Sequence, residues 1–273
     1  MPHLFENYQY MYWKNGKPIF APNEFGRKLG AELCKKVLKA YPLDPFVYHF
    51  KDGSHVAALH LHRTNKYFCK TDLEKFFYSI NRNRVKRALK EIGIPKPEYF
   101  ARWSTVKNPF PVGGYALPYG FVQSPLIATV VLAHSQIGNF LRNLDKSITA
   151  SVYMDDICLS GPDQAALQLA LEGLIQAVGE AGLKLNDGKT VLPSDKIDIF
   201  NCRMEQGNTE VLQIRVDKFH QKPRTGNGLA SFAAYCDIVK SHTWRVGAKR
   251  KLKKRAWYLK RKAGAKRPPK KAP

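Results

Sequence analysis

Acidic residues are scarce in this chain: 22 Asp and Glu stand against 45 Lys and Arg, a formal net charge of +23. That balance disfavours cationic partners and points to a polyanion. Cysteine is also sparse, with five residues (Cys34, Cys69, Cys158, Cys202 and Cys236), none in a CxxC pair. An odd, scattered set excludes a disulfide framework and a zinc site, and fits reduced, mostly buried thiols. Long apolar runs are missing too. The longest largely apolar stretch, Ile127 to Ala133, is far too short to cross a bilayer, and the N-terminal MPHLFENYQY has no basic patch followed by an apolar run. A cytoplasmic protein without a membrane partner is therefore expected. No internal repeat is visible, which argues against a solenoid.

What is present suits a globular protein. The 273 residues are 44% hydrophobic and 12% aromatic, enough for one large domain or two or three linked subdomains. The positive charge is concentrated at the end: residues 245–273 hold 14 Lys/Arg and no Asp/Glu, while residues 1–244 hold 31 Lys/Arg against 22 Asp/Glu. Trp257 and Tyr258 are interleaved with that charge without a long apolar face, which favours nucleic acid over a membrane. The plain alternative is a solvated tail.

Along the chain, Asn23 should cap a helix to about Ala40. Phe46 to Leu61 alternates around Asp52-Gly53 and reads as a hairpin. On its second strand His60 and His62 would share a face, either as a metal pair lacking a third ligand or as ordinary strand histidines. Tyr67 to Leu73 reads as a strand, Arg82 to Ile92 as a helix stopped near Gly93, and Pro95 to Pro118 as loop with short helical pieces. Ser124 is expected to cap a helix from Pro125 to about Leu141. A strand over Val152 to Leu159, a helix over Asp163 to Gly182, short strands over Val191 to Arg215 and helix from about Gly228 to Lys262 complete a mixed α+β chain, whose strands can pair antiparallel under helices.

Two features of this pattern carry chemistry. Asp155 and Asp156 interrupt an otherwise apolar strand, VYMDDICLS, and Asp72 ends another strand in KTDLEKFFYSI. Ionised carboxylates near a core cost several kcal/mol unless paired. If the two strands lie side by side, three carboxylates converge, and such a cluster calls for hard cations with oxygen ligands. In a basic protein this suggests two Mg²⁺ ions and phosphoryl transfer on nucleotides. For Asp155-Asp156 alone, a plain hairpin turn is the competing reading.

The motifs TDLEKFFYSI, LPYGFVQSP, YMDD and GLKLNDGKT follow one another over Tyr67 to about Thr190 in the order and spacing of reverse transcriptase palm motifs, and the chain resembles the retron-like and defence-associated bacterial group. The resemblance implies a right-hand polymerase fold with an antiparallel palm sheet backed by helices. It implies fingers over 1–71, a palm over 72–215 with a finger-side insertion at about 84–115, and a short thumb with a basic tail over 216–273. Asp72 and Asp155 become the principal Mg²⁺ ligands with Asp156 beside them, and the Leu73 carbonyl completes the nucleotide-side metal. Phe77 matches the aromatic gate that excludes a 2′-hydroxyl, while its neighbour Phe76 packs in the core. Tyr119 stands where many relatives carry Gln and could stack on the incoming nucleotide. Gly120 permits close backbone approach to that nucleotide, Gln123 contacts the template, and Lys189 attends the triphosphate and leaving pyrophosphate.

Arg63 and Lys66, from the expected finger hairpin, are candidate phosphate contacts, and the helix with Arg82, Arg84, Lys86, Arg87 and Lys90 could track template phosphates. Phe200-Asn201-Cys202 falls where a primer-grip hairpin is expected. No RNase H domain or maturase-type extension is expected after the palm. The function implied is an RNA-directed DNA polymerase adding deoxynucleotides to a 3′-hydroxyl, copying a partner non-coding RNA in antiphage defence. Untemplated or protein-primed DNA synthesis, and a non-catalytic RNA-binding protein, are the alternatives.

Overall fold

Asn15 and Gly16 both take positive φ, 50° and 70°, and fold β1 (Tyr8–Lys14) back onto β2 (Lys17–Pro22). An Asn-Gly pair suits this reversal because both positions tolerate the left-handed region. Asn23 then caps α1 (Glu24–Ala40) as expected, its side chain accepting the Gly26 N–H at 2.8 Å. In this computed structural model residues 7–111 and 113–242 are described. The basic tail over 245–273 with Trp257 and Tyr258, and the part of the expected Gly228 to Lys262 helix from 243 onward, lie outside those residues.

Residues 46–61 form no hairpin. Gly53 (φ 83°) instead starts α2 (Ser54–His62), which buries Val56, Ala57, Ala58 and Leu59. Apolar residues at this spacing serve a helix as well as a strand, and the packing they meet decides between them. After α2 come β3 (Tyr67–Asp72), α3 (Phe76–Ser79), α4 (Arg82–Glu91), α5 (Pro97–Ser104), β4 (Val106–Lys107) and β5 (Tyr115–Ala116). Next are α6 (Ser124–Ala133), α7 (Gln136–Arg142), β6 (Thr149–Tyr153), β7 (Asp156–Gly161) and α8 (Gln164–Glu180). The last described elements are β8 (Val191–Ser194), β9 (Lys196–Ile199), β10 (Cys202–Glu205), β11 (Asn208–Val211), α9 (Gln213–His220) and α10 (Gly226–Lys240).

The central sheet has the order β6-β7-β3-β8, and every neighbouring pair is antiparallel. Two expectations change here. The apolar stretch around Asp155-Asp156 is not one strand but two, because the pairing of β6 with β7 requires a reversal at Met154-Asp155. The boundary expected at 71/72 cuts through β3, an inner strand, so the sheet unit begins by Tyr67. Phe46 to Tyr48 lies along the open edge of β6: Val47 bridges Val152, whose N–H donates to the Phe46 carbonyl at 2.7 Å and whose carbonyl accepts from Tyr48 at 2.9 Å.

Helices cover the sheet. All of α6 except Pro125 is buried, and a helix apolar on every side belongs inside a core. Leu33 of α1, Leu89 of α4, Ile127 of α6, Leu171 of α8 and Ile157 of β7 meet in one cluster. The expected single helix from Ser124 to Leu141 breaks near His134, where Ser135 caps α7. Ser124 is itself the first helical residue, not the cap. A smaller sheet, β11-β10-β9, packs its Cys202 and Met204 against Val239 of α10.

The expected histidine pair sits on α2. His62 is buried with its two ring nitrogens 2.7 Å from Ser160 Oγ and Ser151 Oγ, and burial pushes its pKa down to about 3. His60 meets the Ile238 carbonyl instead. His62 is thus a neutral clasp between β6 and β7. All five cysteines are free, three of them buried. Among the described residues no helix is long and apolar enough to cross a membrane.

Candidate active site

The register of the central sheet sets Asp72, the last residue of β3, opposite Asp156, the first of β7. The turn is tied down from both sides: Leu73 N–H donates to the Asp155 carbonyl at 2.9 Å, and Asn186 N–H donates to the Asp72 carbonyl at 2.8 Å. Asp72 is only 6% exposed, and Lys189 Nζ lies 3.0 Å from each of its carboxylate oxygens. Burial raises the pKa of Asp155, and burial followed by repulsion from Asp155 and Asp72 pushes Asp156 up to about 6. Asp72 therefore sits close enough to oppose ionisation of Asp155, and both oppose that of Asp156.

Such a donor set fits a divalent cation: carboxylate oxygens only, with a surplus of negative charge that a cation relieves. Among the described residues no three His, Cys, Asp or Glu side chains form a ready-made metal cage. Asp72 is engaged by Lys189, and substrate phosphates would have to supply the remaining oxygens, as Mg²⁺ sites on nucleotides commonly require.

The raised pKa of Asp156 also predicts a stability effect. Below its ordinary value of 3.8 the carboxyl is protonated in folded and unfolded chains alike. As pH climbs from there to about 6 the unfolded chain ionises first, so the folded protein loses stability, and the loss persists at neutral pH. Asp156→Asn should raise the Tm of metal-free protein at pH 7 by about 2–4 °C, the shift that ~1 kcal/mol produces in a chain of this size after allowing for partial exposure. It should also flatten the pH dependence between 4 and 6. Melting curves in chelator across that range check both, and a lower Tm than native at pH 7 contradicts the repulsion.

An aromatic wall faces these acids. Phe77 is 7% exposed, with its ring centroid 4.6 Å from that of Tyr119. The Tyr119 hydroxyl is pushed up to about 12 by burial and by Asp155 and Asp72. Phe76 is buried in the core as expected.

Several residues assigned from sequence are placed otherwise. Gly120 does take a left-handed φ of 103°, but the backbone approaching it is the protein's own: an added Cβ would fall on the Phe20 carbonyl oxygen. Gln123 is 1% exposed, packed where a side chain on Gly30 would collide with it, so it is out of reach of a template strand. Arg63 is 6% exposed with its guanidinium donating to the Ser241 carbonyl at 2.7 Å, a role in packing the end of α10. Lys66 is exposed over the Tyr67 ring at the far end of β3 from Asp72. On α4, Arg82 stacks on Tyr115, Arg84 donates to the Gly182 carbonyl and Lys86 pairs with Glu98, so three of its five cations brace the fold.

The structure supplies a cation that sequence reasoning missed. Lys17 opens β2, and its Nζ lies 3.5 Å from the Tyr119 hydroxyl and is among the charges that favour ionised Asp155. The hairpin is strapped to the site by Phe20 N–H donating to the Tyr119 carbonyl at 2.9 Å. The signal was the Asn15-Gly16 pair between two β-rich runs. A cavity of about 510 Å³ also borders the turn, between Tyr153, the left-handed Phe200 and Asn201, Arg215, and Phe232 and Tyr235 of α10.

Comparison with known proteins follows this geometry. The family described as Reverse transcriptase (RNA-dependent DNA polymerase) matches residues 15–214, about three quarters of the chain. Retron Ec73 reverse transcriptase of Escherichia coli is 27% identical over 177 residues, 61% of this chain and 56% of that protein, so the match spans little more than half the relative's length. Among solved structures, a foamy viral protease-reverse transcriptase with double-stranded DNA aligns over 92% of this chain and 43% of its own, at 18% identity and a TM-score of 0.49. Telomerase from Candida albicans with a TWJ fragment of telomeric RNA aligns over 68% of this chain and 38% of its own, at 12% identity and a TM-score of 0.49.

Proposed function

Because this chain belongs to the reverse transcriptase (RNA-dependent DNA polymerase) family, we propose that it copies RNA into DNA, adding deoxynucleotides to a 3′-hydroxyl. The observation that carries this reading is the register that sets Asp72 against Asp156 beside the Asp155 turn, with Lys189 closing on Asp72. Reverse transcriptases use divalent metal ions; two Mg²⁺ ions are proposed here, and when bound they lower the pKa of the attacking hydroxyl and neutralise charge on the leaving pyrophosphate. Asp72, Asp155 and Asp156 would hold them, together with the Leu73 carbonyl.

The remaining work falls to the chain's own side chains. Lys189, held beside the acids by Asp72, would meet the triphosphate and stabilise charge on the leaving group. Lys17 approaches the same space from β2 and takes the phosphate role first assigned to Arg63 and Lys66. Phe77, held by Tyr119, walls the site where a sugar 2′-hydroxyl would sit. The aromatic cavity at Phe200 and Asn201 suits a primer nucleotide, since rings and an Arg stack on any base. Fingers, palm and thumb are proposed in chain order, with β3 part of the palm sheet.

Labelled dNTP incorporation on an RNA template with a DNA primer tests this. Product is expected only when template, primer and Mg²⁺ are all present, and product without template would favour untemplated or protein-primed synthesis. In the same assay Phe77→Val should raise the ratio of ribo- to deoxynucleotide incorporation by about 10- to 100-fold. The ratio is internal to the variant, so lost folding cancels from it. A partner non-coding RNA and a role in antiphage defence are the proposed setting, and sequencing of copurified RNA identifies the template.

A further inference from the structure

We propose that His49 is a positioning residue for the catalytic turn: it holds the Met154 backbone, and through it Asp155, in the geometry that catalysis needs. The proposal rests on the reading of Asp155 as an active-site carboxylate.

The argument starts from strain. Met154 is a non-glycine residue at φ 60°, a conformation that persists only where surrounding contacts over-determine it. At the tip of so tight a reversal its N–H has no ladder partner, since the β6–β7 pairing ends at Tyr153 and Asp156. His49 supplies one. Its Nδ1 accepts the Met154 N–H at 3.1 Å, and its Nε2 lies 2.8 Å from Thr129 Oγ1.

The two contacts define the ring's protonation state. Nδ1 must carry a lone pair to accept from an amide, so the proton sits on Nε2 and is donated to Thr129 Oγ1. The Thr129 hydroxyl in turn donates a hydrogen bond to the Pro125 carbonyl at 2.8 Å. A relay of three hydrogen bonds therefore runs from α6 to the turn. Burial supports the neutral ring by holding its pKa down at about 4, even though the nearby Val152 carbonyl pulls the other way.

The ring is itself anchored at both ends. The preceding residues Phe46 to Tyr48 are clamped to the edge of β6 through Val152, and α6 is buried along nearly its whole length. The rigid core of α6 thus reaches the turn through one side chain. The adjacent residue, Asp155, is fastened on its other side by the Leu73 N–H. Sites of this kind lose about 100-fold when a contact outside the chemistry shifts reacting groups by an ångström.

The test compares His49→Ala, His49→Asn and Thr129→Val with native protein, using Asp155→Asn as the inactive reference. Asparagine places an acceptor oxygen where Nδ1 lies and should keep the bond to Met154. His49→Ala should lower kcat for templated incorporation on the order of 10- to 100-fold with the dNTP KM nearly unchanged. His49→Asn should recover most of that, and Thr129→Val should fall between. Independently of activity, hydrogen exchange at the Met154 amide should quicken about tenfold in His49→Ala and return toward native in His49→Asn. Native kcat and native exchange in His49→Ala would overturn the proposal, as would a deficit that His49→Asn does not repair while its Tm is native. If Asp155→Asn incorporates as well as native protein, the active-site reading fails; the exchange measurement still decides whether His49 holds the turn.

Discussion

Asp155→Asn should reduce Mg²⁺-dependent incorporation by about 10³-fold or more, the several kcal/mol of charge stabilisation that a metal-bearing carboxylate site provides. The amide keeps the shape of the side chain but cannot supply the negative charge a hard cation seeks. Fold should survive, because Asp155 is tied into the structure through its backbone carbonyl, which accepts from Leu73. Asp72→Asn is expected to match it for a second reason: Lys189, 3.0 Å from both Asp72 oxygens, would lose the charge that holds it at the site. Steady-state incorporation with melting temperatures alongside checks both variants. Activity within tenfold of native in either would remove that residue from the metal site.

Gly120→Ala should damage both stability and nucleotide binding. Its φ of 103° is hostile to any side chain, and the new Cβ would press on the Phe20 carbonyl oxygen, which belongs to a strand backbone and cannot swing aside. Strain and overpacking together should cost about 3 kcal/mol. The consequence should reach function as well as stability, because relief requires β2 to move away from the Tyr119 loop. That movement breaks the Phe20–Tyr119 hydrogen bond and withdraws Lys17. A lowered Tm together with a raised dNTP KM is expected. A native KM would show that the hairpin does not serve the nucleotide site, and a native Tm would show that the backbone at 120 relaxes freely.

Much of the site was legible because its chemistry is at odds with its surroundings. Acids inside VYMDDICLS and at the end of the KTD strand stand out against their apolar neighbours, while their roles rested on the order of the four motifs, since Asp155-Asp156 alone could equally mark a plain hairpin turn. The cap at Asn23 and the helices that begin near it and near Asp163 were equally local. The misreadings fell where a local pattern served two structures. Phe46 to Leu61 alternates as a hairpin would, yet burial of Val56 and Leu59 made its second half, from Ser54, a helix, and Arg63 went into the packing with it. Gln123 looked like a template contact until α1 closed over it at Gly30.

By itself the amino-acid sequence determined the acidic residues, the order of the motifs, the Asn-Gly reversal and the strongly basic character, since each depends on residue type and near neighbours. Only the tertiary structure decided what meets across long separations: Asp72 with Asp156 through strand register, Lys189 on Asp72, Lys17 on Tyr119, and His49 between Thr129 and Met154. Such contacts join residues about 80 or more positions apart and follow from how elements pack, which no local periodicity encodes.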